Sequence, residues 1–247
     1  MKSVGLSRCF LALAVGVALV SAAAAFAAEK REVTFDTADG FTIHGTLYAG
    51  KLPKAVLCLP MLGRTRSTYA DLAGKLQEDG FWVLAIDLRG HGESLMQAGT
   101  KHEVADFKPT DFLAMDRDLD AALKFLRKET KVSAGGTAIV GASIGANLAL
   151  RYAAAHPGIK ALVLLSPGYN FRGLATLDVI KKLGGVTILF AAGTDDAYSA
   201  DTVRELSKLT GVSKDVDLLA NAGHGTTMFE KSAGFLDRVA KWLQEKL

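Results

Sequence analysis

The 247 residues are 49% hydrophobic and 22% charged, with 25 glycines, 5 prolines and a formal charge of +3. That composition fits one globular domain with a filled core and excludes an extended disordered chain. The charge falls to +1 once Lys2 and Arg8 are set aside with the N-terminal segment. No basic stripe is left for nucleic acid.

Lys2 and Arg8 precede an apolar run from Cys9 to Val20, and Ala25-Phe26-Ala27 puts alanine at both small-residue positions of an A-x-A cleavage site. Residues 1–27 are therefore expected to be a signal peptide and 28–247 a single domain, exported to the periplasm or secreted. The rival reading is an uncleaved anchor, since Cys9 to Ala28 is long enough to cross a bilayer. Past residue 30 no apolar run has spanning length, so no membrane span is expected in the mature chain. Cys58 is then the one remaining thiol, which rules out an internal disulfide, and its apolar neighbours predict a buried small hydrophobe.

Val33–Asp36 and Phe41–Tyr48 flank Asp39-Gly40 and predict an antiparallel hairpin. The pattern then changes to short continuous apolar runs separated by segments of helical period, the signature of a parallel sheet covered on both faces. Strands are expected at Ala55–Leu59, Trp82–Ile86, Thr137–Val140, Ala161–Leu165, Val186–Ala191 and Val216–Leu219. Helices are expected at Ser67–Gln77, Asp111–Lys128, Ile144–Ala155, Asp201–Leu209 and Thr227–Lys246. The fold class is α/β, with about eight strands in a mostly parallel sheet and helices on both faces.

The strand Thr137–Val140 meets the helix beginning at Ile144 through Gly141-Ala142-Ser143-Ile144-Gly145, a G-x-S-x-G segment in the strand-turn-helix context that such a motif needs. A serine on so tight a turn is lifted above the sheet and sits at a helix N-terminus, where the Ile144 amide can donate to a developing oxyanion. Serine needs a base to take its proton and a carboxylate to orient that base, and both belong downstream. Among five histidines only His224, in Ala222-Gly223-His224-Gly225, follows a late strand in a loop; His44, His91, His102 and His156 are read as structural or solvated. Asp195 and Asp196 follow the strand Val186–Ala191. Asp196, three residues past Gly193, is preferred and Asp195 is the alternative acid, while either also suits a helix cap.

These features resemble the α/β-hydrolase superfamily, specifically its cap-less serine esterase/lipase-like or dienelactone-hydrolase-like members, over nearly the whole mature chain. Leu59–Tyr69 resembles that family's oxyanion segment and Phe81–Ser94 its next strand and turn. The resemblance implies Ser143 as nucleophile, Asp196 as orienting acid, His224 as general base, and the amides of Leu62 and Ile144 as the oxyanion hole. Pro60-Met61 departs from the His-Gly that many members carry before the first oxyanion donor. The Asp87–Ser94 turn is read as structural. Only 18 residues, Gly168–Gly185, separate two successive strands, too few for a large cap, so Leu95–Thr110 and Tyr169–Arg172 are the candidate rim and wall of the site.

The expected activity is cleavage of carboxylic ester-like bonds of a small-molecule substrate through an acyl-enzyme, with no metal and no organic cofactor. Peptidase, thioesterase and acyltransferase chemistry on the same residues are alternatives. From another class, the alternative is a ligand-binding or envelope interaction protein that keeps the scaffold without turnover.

Overall fold

The computed structural model describes residues 30–247, so the expected signal peptide lies outside the described residues. The chain opens with an antiparallel pair, β1 (Lys30–Asp36) and β2 (Thr42–Tyr48), turning through Asp39-Gly40. β3 (Ala55–Leu59), α1 (Ala70–Glu78) and β4 (Trp82–Ile86) follow. A two-stranded ribbon, β5 (Met96–Gln97) and β6 (Thr100–Lys101), precedes α2 (Pro109–Leu113) and α3 (Asp116–Thr130). β7 (Thr137–Ala142) then runs into α4 (Ile144–Ala155), and β8 (Ala161–Leu165) into a second ribbon of β9 (Asn170–Phe171) and β10 (Leu174–Ala175). The remainder is α5 (Leu177–Ile180), β11 (Thr187–Gly193), α6 (Ala197–Leu209), β12 (Lys214–Leu219), α7 (Thr227–Lys231) and α8 (Phe235–Lys246).

Eight strands form the main sheet in the order β1-β2-β4-β3-β7-β8-β11-β12. β2 pairs antiparallel with both β1 and β4, and every later pairing is parallel. The continuous apolar runs are explained by burial on both faces. In β3, Ala55, Leu57 and Leu59 enter one core while Val56 and Cys58 enter the other, and β8 divides the same way, Leu162 and Leu164 against Ala161, Val163 and Leu165. The first core is closed by Leu119, Leu123 and Leu126 of α3, Leu148 of α4 and Val203 and Leu206 of α6. The second is closed by Leu72 and Leu76 of α1 and Val239, Trp242 and Leu243 of α8.

Two expected helices are each broken. The segment expected from Asp111 to Lys128 divides between α2 and α3 at Ala114-Met115, which lets Phe112 and Met115 both reach the first core. The segment expected from Thr227 to Lys246 divides at Ser232–Gly234, where Gly234 takes φ 76° and restarts the chain as α8. α6 begins four residues before its expected start, because Asp196 caps it directly after the strand.

The order β4-β3-β7 makes a topological switch point: the chain leaves β3 toward β4 on one side and returns to β7 on the other. Ligands in open α/β sheets bind in the crevice that such a reversal leaves at the carboxyl ends of the strands. Leu59 and Gly141 form the last pair between β3 and β7, so the loops carrying Leu62 and Ser143 leave the sheet side by side.

Candidate active site

Ser143 stands between β7 and α4 with φ 53° and ψ −115°, a backbone conformation costly for a non-glycine residue. Its amide donates to the Leu165 carbonyl at 2.8 Å, which ties the turn to the end of β8. Close backbone approach explains the flanking glycines. A Cβ on Gly141 would lie 2.2 Å from the Gly145 carbonyl oxygen, and one on Gly145 would lie 2.4 Å from that of Leu59. Ile144 is the first residue of α4, so its N–H has no acceptor one turn back and is directed out of the helix end.

Ser143, Ile144 and His224 line one cleft of about 460 Å³ together with Met61, Leu62, Asn170, Phe171 and Arg172. Both oxyanion candidates and both reactive side chains expected from the sequence therefore meet in a single concavity. Met61 is buried against the glycine following His224: a Cβ on Gly225 would come within 2.7 Å of the Met61 sulfur.

His224 Nδ1 and Asp196 Oδ2 are 2.6 Å apart. A carboxylate can only accept, so Nδ1 carries the proton and the Nε2 lone pair is left available as a base. Asp196 also accepts from the Ser199 amide at 3.5 Å, so one carboxylate both orients His224 and caps α6. Burial pushes the Asp196 carboxyl upward, but the hydrogen bonds from His224 and Ser199 outweigh it and hold the group below its ordinary range. Asp195 points elsewhere: its Oδ1 accepts the Gly223 amide at 2.9 Å, bracing the loop in front of His224.

Ser166 is absent from the sequence-based expectations yet sits behind the whole assembly. It is fully buried at φ 51°, and its hydroxyl accepts the Gly225 amide at 2.9 Å. Its carbonyl accepts the Ser199 hydroxyl at 3.5 Å. Ser166 thereby joins the end of β8 to the His224 loop and the start of α6. The signal available was its place directly after an apolar strand and before Pro167-Gly168.

Asp87 anchors the loop that carries Leu62. Fully buried, it accepts from the guanidinium of Arg66, from the Arg66 amide at 2.7 Å and from the Glu93 amide at 3.0 Å, and Arg66 also pairs with Glu32 and Glu93. This network gives the Asp87–Ser94 turn its structural role. His91 within it is buried, with Nδ1 3.0 Å from the Arg89 carbonyl, and burial lowers its proton affinity below that of a free imidazole. Of the two expected borders, Tyr169–Arg172 supplies Asn170, Phe171 and Arg172 to the cleft, with the Phe171 ring edge-on to His224 at 6.2 Å. Leu95–Thr110 borders different concavities, beside His91 and beside Arg89. Among the described residues no group of three His, Cys, Asp or Glu side chains is placed to hold a metal, and no helix is long and apolar enough to cross a membrane.

A mixed sheet in this order, with a serine on the central strand-to-helix turn and a histidine after the last strand, defines an α/β-hydrolase. The family model described as Serine aminopeptidase, S33 (Hydrolase_4), matches residues 50–194, more than half of the chain, and the protein belongs to that hydrolase family. Solved structures agree on the fold. A dienelactone hydrolase from Anabaena variabilis matches with TM-score 0.69 and 20% identity over 89% of this chain and 96% of its own. An esterase from Pyrococcus furiosus matches with TM-score 0.71 and 20% identity over 89% and 91%. An acetyl xylan esterase from Paenibacillus sp. R4 matches with TM-score 0.70 and 18% identity over 88% and 84%. No curated protein matches the sequence.

Proposed function

We propose that the protein is an exported serine hydrolase that cleaves carboxylic ester bonds of small molecules. The observation that carries this reading is the strained turn at Ser143 sharing one cleft with a histidine whose tautomer is set by Asp196. In the proposed reaction Ser143 Oγ attacks the ester carbonyl while His224 Nε2 takes its proton. The amides of Leu62 and Ile144 hold the oxyanion, each worth roughly 3 kcal/mol. The carbon–oxygen bond to the alcohol then breaks as His224 returns the proton to the leaving oxygen. Water, deprotonated by His224, attacks the acyl-enzyme and releases the acid and Ser143. Asp196 stays ionised throughout and stabilises the imidazolium.

The family's description names aminopeptidases, and a peptidase on the same residues is the second reading. Recognition of a free α-amino group calls for a carboxylate in the binding cleft. The residues lining this cleft include none and instead include Arg172, which favours the ester reading. Export rests on the leader-like residues 1–27.

Labelling with a fluorophosphonate probe, together with turnover of 4-nitrophenyl esters of graded chain length, tests the proposal. The wild type should label and turn over, and Ser143→Ala should do neither. A Ser143→Ala variant with undiminished turnover would overturn it. Recovery of the chain from a periplasmic fraction with its N-terminus near Ala28 tests export, and recovery with Met1 intact would refute cleavage.

A further inference from the structure

β9 and β10 pair Phe171 with Leu174 and Asn170 with Ala175, which leaves Arg172 and Gly173 as a two-residue turn. Both have positive φ, 55° and 94°, the combination that a type I′ turn demands and that Asn-Gly supplies most easily. An arginine in the first position is held in the left-handed region, a conformation that persists only where the surroundings over-determine it. They do so here. The Gly173 amide donates to Asn170 Oδ1 at 2.8 Å, the Asn170 amide donates to the Tyr198 hydroxyl at 3.1 Å, and the buried Asn147 amide group donates to the carbonyls of Gly168 and Leu174 at 2.9 and 2.7 Å. The Arg172 side chain therefore leaves a fixed piece of backbone at the rim of the cleft.

Its guanidinium lies over the ring of Phe112, 5.9 Å from the centroid, and forms no ion pair among the described residues. The arginines of the buried networks differ: Arg66 is paired with Asp87, Glu32 and Glu93, and Arg89 with Asp39 and Asp118. Arg172 is thus a cation on the wall of the Ser143 cleft with no internal counter-charge. Beside it the wall is apolar, formed by Met61, Leu62, Ile144 and Phe171. Arg172 itself is solvent-exposed at the rim, so its attraction for an anion is open to screening by salt. The planar fork of a guanidinium matches a carboxylate, and the ring beneath it restrains the fork without neutralising it.

We propose that Arg172 is a specificity-determining residue that selects esters bearing a free carboxylate, seating that carboxylate on its guanidinium while the scissile carbonyl lies at Ser143. This inference rests on the reading of Ser143 as nucleophile. The test compares 4-nitrophenyl hexanoate with the 4-nitrophenyl monoester of adipic acid, equal in acyl length and differing in one terminal carboxylate. In the wild type the ratio of kcat/KM, adipate over hexanoate, should exceed that of Arg172→Gln by about tenfold or more, mainly through KM. Arg172→Lys should retain part of the preference, Arg172→Glu should reverse it, and added salt should erode it in the wild type. An unchanged ratio in Arg172→Gln overturns the proposal, as does a loss shared equally by both esters. A second arm does not depend on turnover: binding of monomethyl adipate to Ser143→Ala, followed by calorimetry, should weaken about tenfold when Arg172→Gln is added. If the wild type hydrolyses neither ester, the nucleophile reading fails and this binding arm alone decides, with equal affinities overturning the role of Arg172.

Discussion

Alanine at Gly145 and alanine at Gly74 should move the protein in opposite directions. Both glycines lie inside helices, α4 and α1, where alanine is worth about 1 kcal/mol in intrinsic propensity. At Gly74 nothing lies within 4 Å of an added Cβ, so the gain should appear as about 0.5–1 kcal/mol of stability. At Gly145 the same atom would stand 2.4 Å from the Leu59 carbonyl oxygen and 2.8 Å from that of Pro60. Ordinary contact requires roughly 0.8 Å more separation. The obstruction is backbone at the end of β3, a strand paired on both sides, and the Leu59 carbonyl also accepts the Tyr69 hydroxyl at 2.8 Å. Overpacking at about 3 kcal/mol and a weakened hydrogen bond at about 1, less the propensity gain, leave a net loss of about 3 kcal/mol. For a domain of this size that is a fall in Tm of about 6–12 °C, against a rise of about 1–4 °C for Gly74→Ala. The displaced carbonyls lie two and three residues before Leu62, so a lateral shift of this order should also lower kcat/KM on a short-chain ester by about 100-fold. Thermal melts and initial rates on the two purified variants measure both. A Gly145→Ala protein that melts within 2 °C of the wild type with undiminished turnover would refute the argument.

Asp196→Asn should lower kcat by on the order of 10³-fold or more, because an amide no longer enforces the Nδ1–H tautomer of His224; turnover within tenfold of the wild type would contradict this. The folded carboxyl of Asp196 is depressed, so its stabilisation is complete above the unfolded value near pH 4 and is lost as pH falls through the folded value. The Tm difference between wild type and Asp196→Asn, recorded from pH 6 down to pH 2.5, should accordingly be constant near neutrality and shrink only below about pH 4. Ser166→Ala removes the acceptor of the buried Gly225 amide, with an expected cost of about 1–3 kcal/mol in urea melts and a fall of about tenfold in kcat with little change in KM. Ser166→Gly, which relieves the positive φ but also lacks the hydroxyl, should show the same kcat defect; restored turnover in that variant would point to strain rather than the hydrogen bond.

The central parallel strands were readable because they are buried on both faces, which turns them into apolar runs, and Ala55–Leu59 and Ala161–Leu165 need no revision; the edge strand β12, Lys214–Leu219, alternates charged and apolar residues and begins two residues before its expected start. Ser143 and His224 were readable from the turn chemistry around them, and the cleft holds both. The choice between Asp195 and Asp196 was not settled by sequence because the two are adjacent and equally acidic. Their difference is directional, one toward the Gly223 amide and one toward the imidazole. For Ser166 the sequence offers only its place after an apolar strand and before Pro167-Gly168, because its role lies in bonds to residues 33 and 59 positions away. The β9–β10 ribbon was legible as a wall but not as a hairpin, since its strands have two residues each and its turn carries arginine in place of the usual asparagine.

That ribbon forms its own two-stranded sheet, outside the eight-stranded one, yet it supplies three of the eight residues lining the cleft. It is moored to the helix that follows Ser143 by Asn147, which grips Gly168 before the ribbon and Leu174 within it, and by Arg151, whose guanidinium reaches the Ala175 carbonyl at 3.5 Å. Residues 169–173 can therefore be exchanged as a cassette, with Asn147, Gly168 and Leu174 kept as its sockets; the eight-stranded sheet is untouched, and the contacts that an exchange would alter include those of Arg172 with Phe112 and of Tyr169, Asn170 and Phe171 with Tyr198. The lining that residues 170–172 give the cleft is thus separable from the sheet that folds the chain, and a library confined to five positions would vary it.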